Sequence, residues 1–414
     1  MTYDFLNRLR VVESSAFVAA PMAGLTLAQY GADVIHIDRI GGGIDYGRVP
    51  RLPSGRSLYW TALNKGKRSI AVDISSDAGR ELVRSLVTAP GPDAGVLLTN
   101  IATPWLSHEV LSALRADVVT CTIIGNPDGS TALDYTVNCA TGYPYVTGNG
   151  SPATPVNHVL PAWDLSCAYQ AAFAVLAAVS HRRQTGLGAE LRLALSDIAF
   201  ATLSNLGVLG EATVLNQERP AIGNHIYGAF GHDFATAGGE RIMVAAISVA
   251  QWKALVKACG IGDAIKALES ATGKDFLDEV QRYEARDAIA ALVEPWFAVR
   301  PLAQAKAELD QHRVCWGQYR TVKELLDHDA RVSLANPLFE TIDTPGIGRH
   351  IAAGAMAQAV GVARQPTSPA PLVGTHTDEI LAEVLGLSGA AIGRLHDAGV
   401  VAGPEADPTV QPNA

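Results

Sequence analysis

Two short apolar runs separated by a helix-like stretch constrain the fold of this chain more than any other feature. Residues 9–12 and 34–38 are mostly apolar, and residues 22–30 between them place apolar side chains at a helical spacing. Strands of this kind are buried on both faces, as in a parallel sheet. A strand, a helix and a strand within about 30 residues therefore predict a βαβ unit.

The same alternation continues to residue 123. Strands are predicted at 69–74, 95–99 and 118–123, with helices near 79–87 and 107–114. This alternation of strands and helices predicts an α/β fold with a Rossmann-like, doubly wound large domain. The three glycines at 41–43 follow the second strand and lack the GxGxxG spacing, so we interpret them as a loop and not as a nicotinamide-nucleotide fingerprint.

The second half of the chain has a different pattern of predicted strands, helices and turns. A proline-punctuated linker at 152–161 precedes a long helix at 165–183, a strand at 190–195 and a helix at 198–215. Hairpin signals at 234–244 and amphipathic helices such as 251–258 indicate a smaller α+β domain. The predicted domains are a large α/β domain at 1–215, a small domain at 216–330, a return to the large domain at 331–403, and a frayed tail at 404–414.

Composition narrows the class of protein. The 414 residues carry a net charge of -9, with 48% hydrophobic and 18% charged residues, which indicates a soluble enzyme and disfavours nucleic-acid binding. The five cysteines have no metal-ligand or pairing spacing, so we expect a reducing compartment and no metal. Glu13 interrupts the first apolar stretch, and residues 168–179 fit a buried helix better than a membrane span. We therefore expect a cytoplasmic protein without membrane contact.

Asp164 stands at the predicted start of the long helix, in the position of an N-cap. Aspartate is a favoured N-cap, so a structural role explains it without any chemistry. The same position suits a carboxylate nucleophile, because the helix dipole stabilises negative charge there. From the residues alone, both interpretations remain open.

Basic residues offer a second kind of site. Residues 64–69 form a cluster that could bind phosphates or simply be a solvated turn, and Arg39 ends the second strand where ligands bind in such sheets. His158, His225 and Tyr227 lie in loops, where single histidines are more often hydrogen-bonded surface residues than catalysts. Unaided, these residues indicate an α/β enzyme that binds an anionic ligand.

Several segments together resemble the CaiB/BaiF (class III) CoA-transferase family, and they cover almost the whole chain. These segments are residues 9–13, 17–21, 27–39, 64–73, 177–188, 219–224 and 374–381. In this order Asp164 stands where the family keeps its catalytic aspartate. The resemblance implies an interlocked homodimer and an enzyme without a metal or a tightly bound cofactor, in which coenzyme A enters on the substrate. It also implies a mixed anhydride and an aspartyl-CoA thioester on Asp164.

The resemblance also implies CoA-binding positions. Carried over residue by residue, and with two members of the basic cluster added, they are Val18, Ala19, Arg39, Val72, Asn100, Ile101, Lys67 and Arg68. The basic residues that some members carry after Asn100 are absent, which weakens the adenine-phosphate assignment. Residues 225–228 replace the glycine-rich loop that follows in formyl-CoA transferases.

Residues 133–138, 142–148, 157–164 and 227–231 resemble one branch of the family, the mesaconyl-CoA C1–C4 CoA transferases (2-methylfumaryl-CoA isomerases). This resemblance implies transfer of CoA between the two carboxyl groups of one bound dicarboxylate. The residues expected to hold its free carboxylate are Arg48, His158, His225 and Tyr227.

Three other functions compete with this branch assignment. One is intermolecular transfer from a thioester such as succinyl-CoA to a free dicarboxylate, and another is CoA binding without catalysis. A 2-methylacyl-CoA racemase is disfavoured because Leu133 occupies the position of the second acid/base that proton transfer would need.

Overall fold

The computed structural model describes residues 1–148 and 154–410. They form two compact units. The larger comprises Met1–Thr141, His158–Gly210 and Ala330–Ala414, and the smaller comprises Gly142–Asn157 and Glu211–Asp329. Residues 142–157 were expected in the large domain, whereas the structure groups them with the smaller unit.

The strands are numbered in chain order. They are β1 (Arg10–Ser14), β2 (Asp33–Asp38), β3 (Arg68–Val72), β4 (Val96–Thr99), β5 (Val119–Ile124), β6 (Ala189–Ala194), β7 (Phe230–Ala235), β8 (Arg241–Ala246), β9 (Cys315–Gln318), β10 (Phe339–Thr344), β11 (Gly348–Ala353) and β12 (Val401–Ala402).

The helices are numbered in the same way. They are α1 (Ala19–Gln29), α2 (Leu58–Asn64), α3 (Asp77–Thr88), α4 (His108–Leu114), α5 (Asp134–Cys139), α6 (Tyr143–Thr147), α7 (Ala162–Thr185), α8 (Leu195–Asn205), α9 (Val208–Gly210), α10 (Val249–Cys259), α11 (Gly262–Thr272), α12 (Glu279–Glu284), α13 (Arg286–Ala298), α14 (Leu302–Gln311), α15 (Val322–His328), α16 (Thr377–Leu385) and α17 (Gly389–Asp397).

The main sheet of the larger unit has the strand order β12-β3-β2-β1-β4-β5-β6. Strands β1 to β6 are parallel, with Val12 paired to Ile35 on one side and to Leu97 on the other, and β12 joins β3 antiparallel. The order 3-2-1-4-5-6 is that of the doubly wound fold, whose ligand crevice opens where the order reverses, between β1 and β4. The predicted α/β class is confirmed.

Strand burial explains why the sequence alternates as it does. Side chains on both faces of β1 to β4 are buried, including Val11 and Val12 on opposite faces of β1, because helices cover both faces of a parallel sheet. Each large aliphatic side chain buried in this way contributes about 1.5–3 kcal/mol of transfer free energy. From the distant end of the chain, Ile380 and Leu381 of α16 join the same core.

Helix α7 is the longest helix of the described residues and carries the site described below. It ends at Gly186, whose φ of 76° gives the left-handed C-cap that glycine favours. By length and composition α7 could cross a membrane, and 44% of its most apolar window is buried within the protein. Its many alanines allow it to pack closely against α1 and β5.

The smaller unit has an antiparallel sheet of order β7-β8-β9, packed with helices. Phe230, Trp252, Phe276 and Phe297 are buried in its core. The turn between β7 and β8 contains Gly239 with φ of 88°, the left-handed backbone that a tight hairpin needs.

Two predictions about chain segments are wrong. The helix expected at 198–215 breaks after α8, because Gly207 has φ of 77°, and it resumes as α9 and a π-helical turn at Glu211–Leu215. The tail expected to fray is anchored at Asp407, which is fully buried and accepts a hydrogen bond of 2.8 Å from the Val373 N–H. Residues 411–414, and residues 152 and 153 of the predicted linker, lie outside the described part of the chain.

Candidate active site

The carboxyl edge of the main sheet brings together the starts of two helices. A helix that connects parallel strands begins at the carboxyl edge of the first strand, so α1 begins there after β1 and α7 begins there before β6. These two helices pack against each other. The chain around Val18 and the chain around Asp164 therefore belong to the same edge, where the crevice of this fold opens.

Asp164 is not the N-cap of α7, and that prediction is wrong. The helix begins at Ala162, with Pro161 in the cap position, so Asp164 is its third residue. The cap comes from another part of the chain: Asp134 accepts hydrogen bonds from the backbone N–H of Trp163 at 2.6 Å and of Asp164 at 3.1 Å. Because Asp134 satisfies those donors, the Asp164 carboxylate is not needed for capping.

Asp134 is buried and also binds His158. The His158 Nε2 lies 2.8 Å from Asp134 Oδ1, so one carboxylate joins the helix start to the preceding loop. The indole N–H of Trp163 donates to Asn138 Oδ1 at 3.1 Å, which ties α7 to α5 a second time. These contacts join His158 to the start of α7 through the Asp134 carboxylate, and its binding to substrate remains a prediction.

The Asp164 carboxylate is half-buried and has no hydrogen-bond or ion-pair partner among the described residues. Burial, followed by the negative charge of Asp134, raises its pKa to about 6. Most such groups would find a compensating cation or donor, because an uncompensated charge away from water is costly. The arrangement leaves a basic, ionisable oxygen free for a ligand.

The turn that leads into α1 is held across the crevice. Asn100, at the end of β4, accepts a hydrogen bond of 3.0 Å from the Ala16 N–H and donates one of 2.7 Å to the Ala16 carbonyl. Phe17 has φ of 67°, which is rare for a side chain of this size, and its N–H donates to Asp45 Oδ2 at 2.8 Å. Val18 then caps α1 without a side-chain hydrogen bond, so the first N–H groups of the helix remain available.

Other predicted CoA-binding positions lie along the same edge. Arg39 directly follows β2, is exposed, and has no ion pair within the described chain. Ile101 is exposed beyond β4, whereas Val72 is fully buried at the end of β3 and presents no side chain to solvent. Ala19 is buried in the first turn of α1, so it and Val72 can offer a ligand only backbone atoms.

Lys67 and Arg68 are not brought to this site, because other side chains already use their charges. The buried Lys67 ammonium donates to Glu13 Oε1 at 2.8 Å, to the Pro21 carbonyl at 2.9 Å and to Asn64 Oδ1 at 3.0 Å. The Arg68 guanidinium binds a set of three carboxylates, those of Asp33, Glu379 and Glu383. Their assignment to CoA is therefore corrected: both stabilise the larger unit.

His225 and Tyr227 belong to the smaller unit. His225 stacks on His232 with ring centroids 4.0 Å apart, and its Nε2 lies 3.3 Å from Asp287. The Tyr227 hydroxyl donates to Glu211, and the Arg219 guanidinium lies 4.0 Å from the Tyr227 ring centroid. Both residues thus have partners within their own unit, and their binding to substrate remains a prediction.

Sequence analysis did not predict two residues near the site, Asp134 and Tyr59. Asp134 lies 30 positions before Asp164, and no local sequence pattern indicates that Asp134 caps the helix that contains Asp164. Tyr59, in α2, is half-buried, and its pKa is raised to about 12 by burial, with charges that include Arg48 and Asp164 also acting on it. No sequence pattern around Tyr59 indicates that its side chain lies near these charges.

No group of His, Cys, Asp and Glu able to hold a metal ion occurs among the residues that the structure describes.

Comparison with known proteins gives the following relatives. The family model described as CoA-transferase family III matches residues 6–377. A 2-methylfumaryl-CoA isomerase of Chloroflexus aurantiacus is 49% identical over 402 residues, which cover 97% of this chain and 98% of that protein. A formyl-CoA:oxalate CoA-transferase of Rhodopseudomonas palustris is 26% identical, covering 96% of this chain and 97% of that protein.

Among solved structures, a CAIB/BAIF family protein from Brucella suis superposes with a TM-score of 0.74 at 25% identity. The match covers 92% of this chain and 99% of that one.

Proposed function

The chain belongs to CoA-transferase family III and is an enzyme of that family; we propose that it moves coenzyme A between the two carboxyl groups of one unsaturated dicarboxylate, converting 2-methylfumaryl-CoA to 3-methylfumaryl-CoA, with Asp164 as the nucleophile. The observation that carries this proposal is the half-buried Asp164 carboxylate, which has no hydrogen-bond or ion-pair partner in the part of the chain that the structure describes. The 49% identity to a 2-methylfumaryl-CoA isomerase supports the choice of acyl group.

The electrostatics of Asp164 suit a nucleophile. With a pKa of about 6 the carboxyl group is mostly ionised at pH 7, so it needs no general base. Burial has also removed part of the hydration that would weaken its attack, and its raised basicity strengthens the attacking oxygen. Asp134 contributes by capping α7 in its place and by adding a nearby negative charge.

The reaction would proceed through four acyl transfers. An Asp164 oxygen attacks the thioester carbonyl, the C–S bond breaks, and a mixed anhydride and CoA thiolate form. The thiolate attacks the aspartyl carbonyl, which releases the diacid as a carboxylate and leaves aspartyl-CoA. The other carboxylate of the diacid then attacks aspartyl-CoA, and the released thiolate attacks the new acyl carbonyl. No proton is gained or lost overall, and the Asp164 carboxylate is regenerated.

Each tetrahedral intermediate needs donors for its oxyanion. The N–H groups at the start of α1, next to the held turn at Phe17, have no intrahelical partner and are candidates for this role. Donors of this kind are worth about 10²–10³ in rate each. The exposed Arg39 guanidinium is our candidate for a CoA phosphate, because its charge has no protein partner in the described chain.

Transfer within one diacid is favoured by proximity. After the second step the diacid lies beside aspartyl-CoA, at an effective concentration that can reach about 10⁵ M or more for a well-oriented pair. An enzyme that retains the diacid while it turns therefore needs no second substrate. An enzyme that releases it would instead be an intermolecular transferase.

The assembly and compartment are also part of the proposal. Tyr169 and Phe173 on α7 and Phe200 on α8 are exposed, an arrangement that supports an interlocked homodimer in which these side chains are covered. The exposed cysteines Cys139 and Cys315 are free thiols, which supports a reducing cytoplasm.

Incubation of the purified enzyme with 2-methylfumaryl-CoA as the sole substrate tests the function. We expect 3-methylfumaryl-CoA to form without added acid, and isotope-labelled free diacid in the medium to stay out of the product. Product that appears only after a free acid is added would establish intermolecular transfer instead.

A chemical trap tests the nucleophile. Hydroxylamine cleaves acyl anhydrides and thioesters, so it should modify Asp164 only while substrate is turning over, as measured by peptide mass spectrometry. Modification at another carboxylate, or none in an active enzyme, would exclude the aspartyl mechanism.

A further inference from the structure

Arg48 is an exposed arginine held between two aromatic rings. Its guanidinium carbon lies 5.5 Å from the ring centroid of Phe17 and 5.3 Å from that of Tyr59. Contacts of this kind fix the orientation of a guanidinium while leaving its N–H groups free. No hydrogen bond or ion pair of the Arg48 side chain occurs within residues 1–148 and 154–410.

Other arginines of the larger unit form ion pairs with carboxylates of the same unit. Arg56 is buried beside Asp407, and Arg183 binds Asp93 through two hydrogen bonds of 2.9 and 2.7 Å. Arg56 also lies over the rings of Tyr46 and Trp60, whereas Arg48 has aromatic neighbours and no carboxylate partner among the described residues. Its charge is oriented by the protein but not neutralised by it.

The frame around Arg48 is rigidly connected. Its backbone N–H donates to the Asp45 carbonyl at 3.0 Å, and its carbonyl accepts a hydrogen bond of 2.5 Å from Ser57, which also caps α2 ahead of Tyr59. The Asp45 side chain in turn holds the Phe17 N–H. The loop, the turn after β1 and the start of α2 therefore fix both faces of the guanidinium together.

This frame lies at the same edge of the main sheet as the proposed nucleophile. Phe17 follows β1 at the carboxyl edge of the sheet, where α7 also begins. The Tyr59 hydroxyl is half-buried, has no hydrogen-bond partner among the described residues, and lies within electrostatic range of both Arg48 and Asp164. Arg48 and Tyr59 therefore belong, with the start of α7, to the sheet edge where the crevice of this fold opens.

We propose that Arg48, oriented between Phe17 and Tyr59 and assisted by the Tyr59 hydroxyl, binds the free carboxylate of the acyl group and makes the enzyme selective for CoA monothioesters of dicarboxylic acids. This inference rests on the proposed function and adds to it the residues that set selectivity. A guanidinium offers the fork of donors that matches a carboxylate, and the hydroxyl offers one more.

The same contact accounts for retention of the diacid. Once aspartyl-CoA has formed, both ends of the diacid are carboxylates, and either end can bind Arg48 while the other faces Asp164. A neutral acyl group gains nothing from this cation. The selectivity for a diacid and the choice of intramolecular transfer therefore share one cause.

Kinetics with two thioesters test the proposal. In Arg48→Gln we expect KM for 2-methylfumaryl-CoA to rise about 10- to 100-fold, the loss that follows removal of a charged hydrogen-bonding partner. Free diacid should also escape into the medium. Hydroxylamine modification of Asp164 with crotonyl-CoA, which has no second carboxylate, should keep its wild-type rate. Arg51→Gln is the matched control, because Arg51 is exposed in the same loop and, among the described residues, its side chain bonds only to the Gly47 carbonyl.

Two further variants guard against a merely structural effect. Arg48→Lys should recover part of the affinity, and Tyr59→Phe should raise KM for the diacid thioester several-fold while leaving the crotonyl-CoA trap unchanged. Equal losses with both thioesters, or unchanged KM in Arg48→Gln, would overturn the assignment of Arg48. Absence of Asp164 modification in the wild-type enzyme would instead overturn the proposed function, so the two failures are distinguishable.

Discussion

The larger unit contains two groups of acidic side chains that the protein treats in opposite ways. In the middle of the sheet, the fully buried Glu13 lies 2.8 Å from the Lys67 ammonium and 2.9 Å from His36. Burial alone would raise the pKa of Glu13, but Lys67 and His36 lower it. At the carboxyl edge, Asp164 has no cationic partner within residues 1–148 and 154–410, and burial and Asp134 raise its pKa to about 6.

The difference between the two carboxylates suits two roles, because Glu13 stabilises the fold through its ion pair and Asp164 is the proposed nucleophile. Glu13 Oε1 and Lys67 form a fully buried ion pair, and a Cβ atom on Gly24 of α1 would lie 1.6 Å from Glu13 Oε2, so the helix must be glycine there. Asp164 is left incomplete where the crevice opens. Because burial of an unpaired charge costs free energy, a carboxylate of this kind at the edge where ligands bind is what the proposed role of Asp164 requires.

Replacing Asp164 gives the largest expected effect. Asp164→Asn keeps the shape of the side chain but removes the nucleophile, so kcat for isomerisation should fall by at least about 10⁴-fold, as losses of covalent nucleophiles do. Stopped assays with chromatography of the two thioesters would measure it. If the variant kept more than a tenth of the wild-type kcat, Asp164 would not be the nucleophile.

The Glu13 network should respond in stability. Lys67→Met leaves Glu13 without its main cation, so the free energy of unfolding should fall by about 3–5 kcal/mol in chemical denaturation. Asp164→Asn is the matched comparison, because removing an uncompensated buried charge should leave stability at pH 7 unchanged or higher. A larger stability loss in Asp164→Asn than in Lys67→Met would reverse the comparison.

The pH dependence of kcat/KM should show the raised pKa of Asp164. The ionised form is the nucleophile, so activity is present above pH 6 and is lost as the pH falls through about 6. At pH 5 the rate should be about tenfold below its plateau. Circular dichroism at pH 5 would verify that the fold is intact, and an activity midpoint near pH 4 would show that burial does not govern this carboxyl group.

Asp134→Asn should produce the smallest change and the most specific one. Asparagine caps helices as well as aspartate, so the start of α7 should persist. Removing the charge lowers the pKa of Asp164, and the acidic midpoint of the kcat/KM profile should move to lower pH. An unmoved midpoint in a folded variant would limit the cause of the raised pKa to burial.

Much of the larger unit was predictable from sequence, because buried parallel strands leave apolar runs that stand out in a chain. Strands β1 to β5 follow from this signal. The two-residue strand β12 and the short helix α2 do not, since elements of that length have no measurable periodicity. Chain order also could not show that residues 142–157 group with the smaller unit.

Of the site, the sequence predicted single residues that match a family motif, but not the contacts between residues that are distant in the chain. Asp164 was found through the family resemblance, and the structure explains its freedom through Asp134. The basic cluster was misjudged because the partner that takes Lys67, Glu13, lies 54 positions away. Likewise, the contact of Arg48 with Phe17 and Tyr59 depends on the turn after β1, which no local pattern reports.

The antiparallel pairing of Val401–Ala402 with β3, together with the anchored Asp407, has a consequence for biosynthesis. The ribosome must synthesise the chain through Val401–Ala402 before the outer edge of β3 gains its neighbour. Until then that edge offers unpaired N–H and C=O groups to any other strand in the cell. Substitutions that weaken the pairing of Val401–Ala402 with β3 should therefore lower solubility before they lower catalysis.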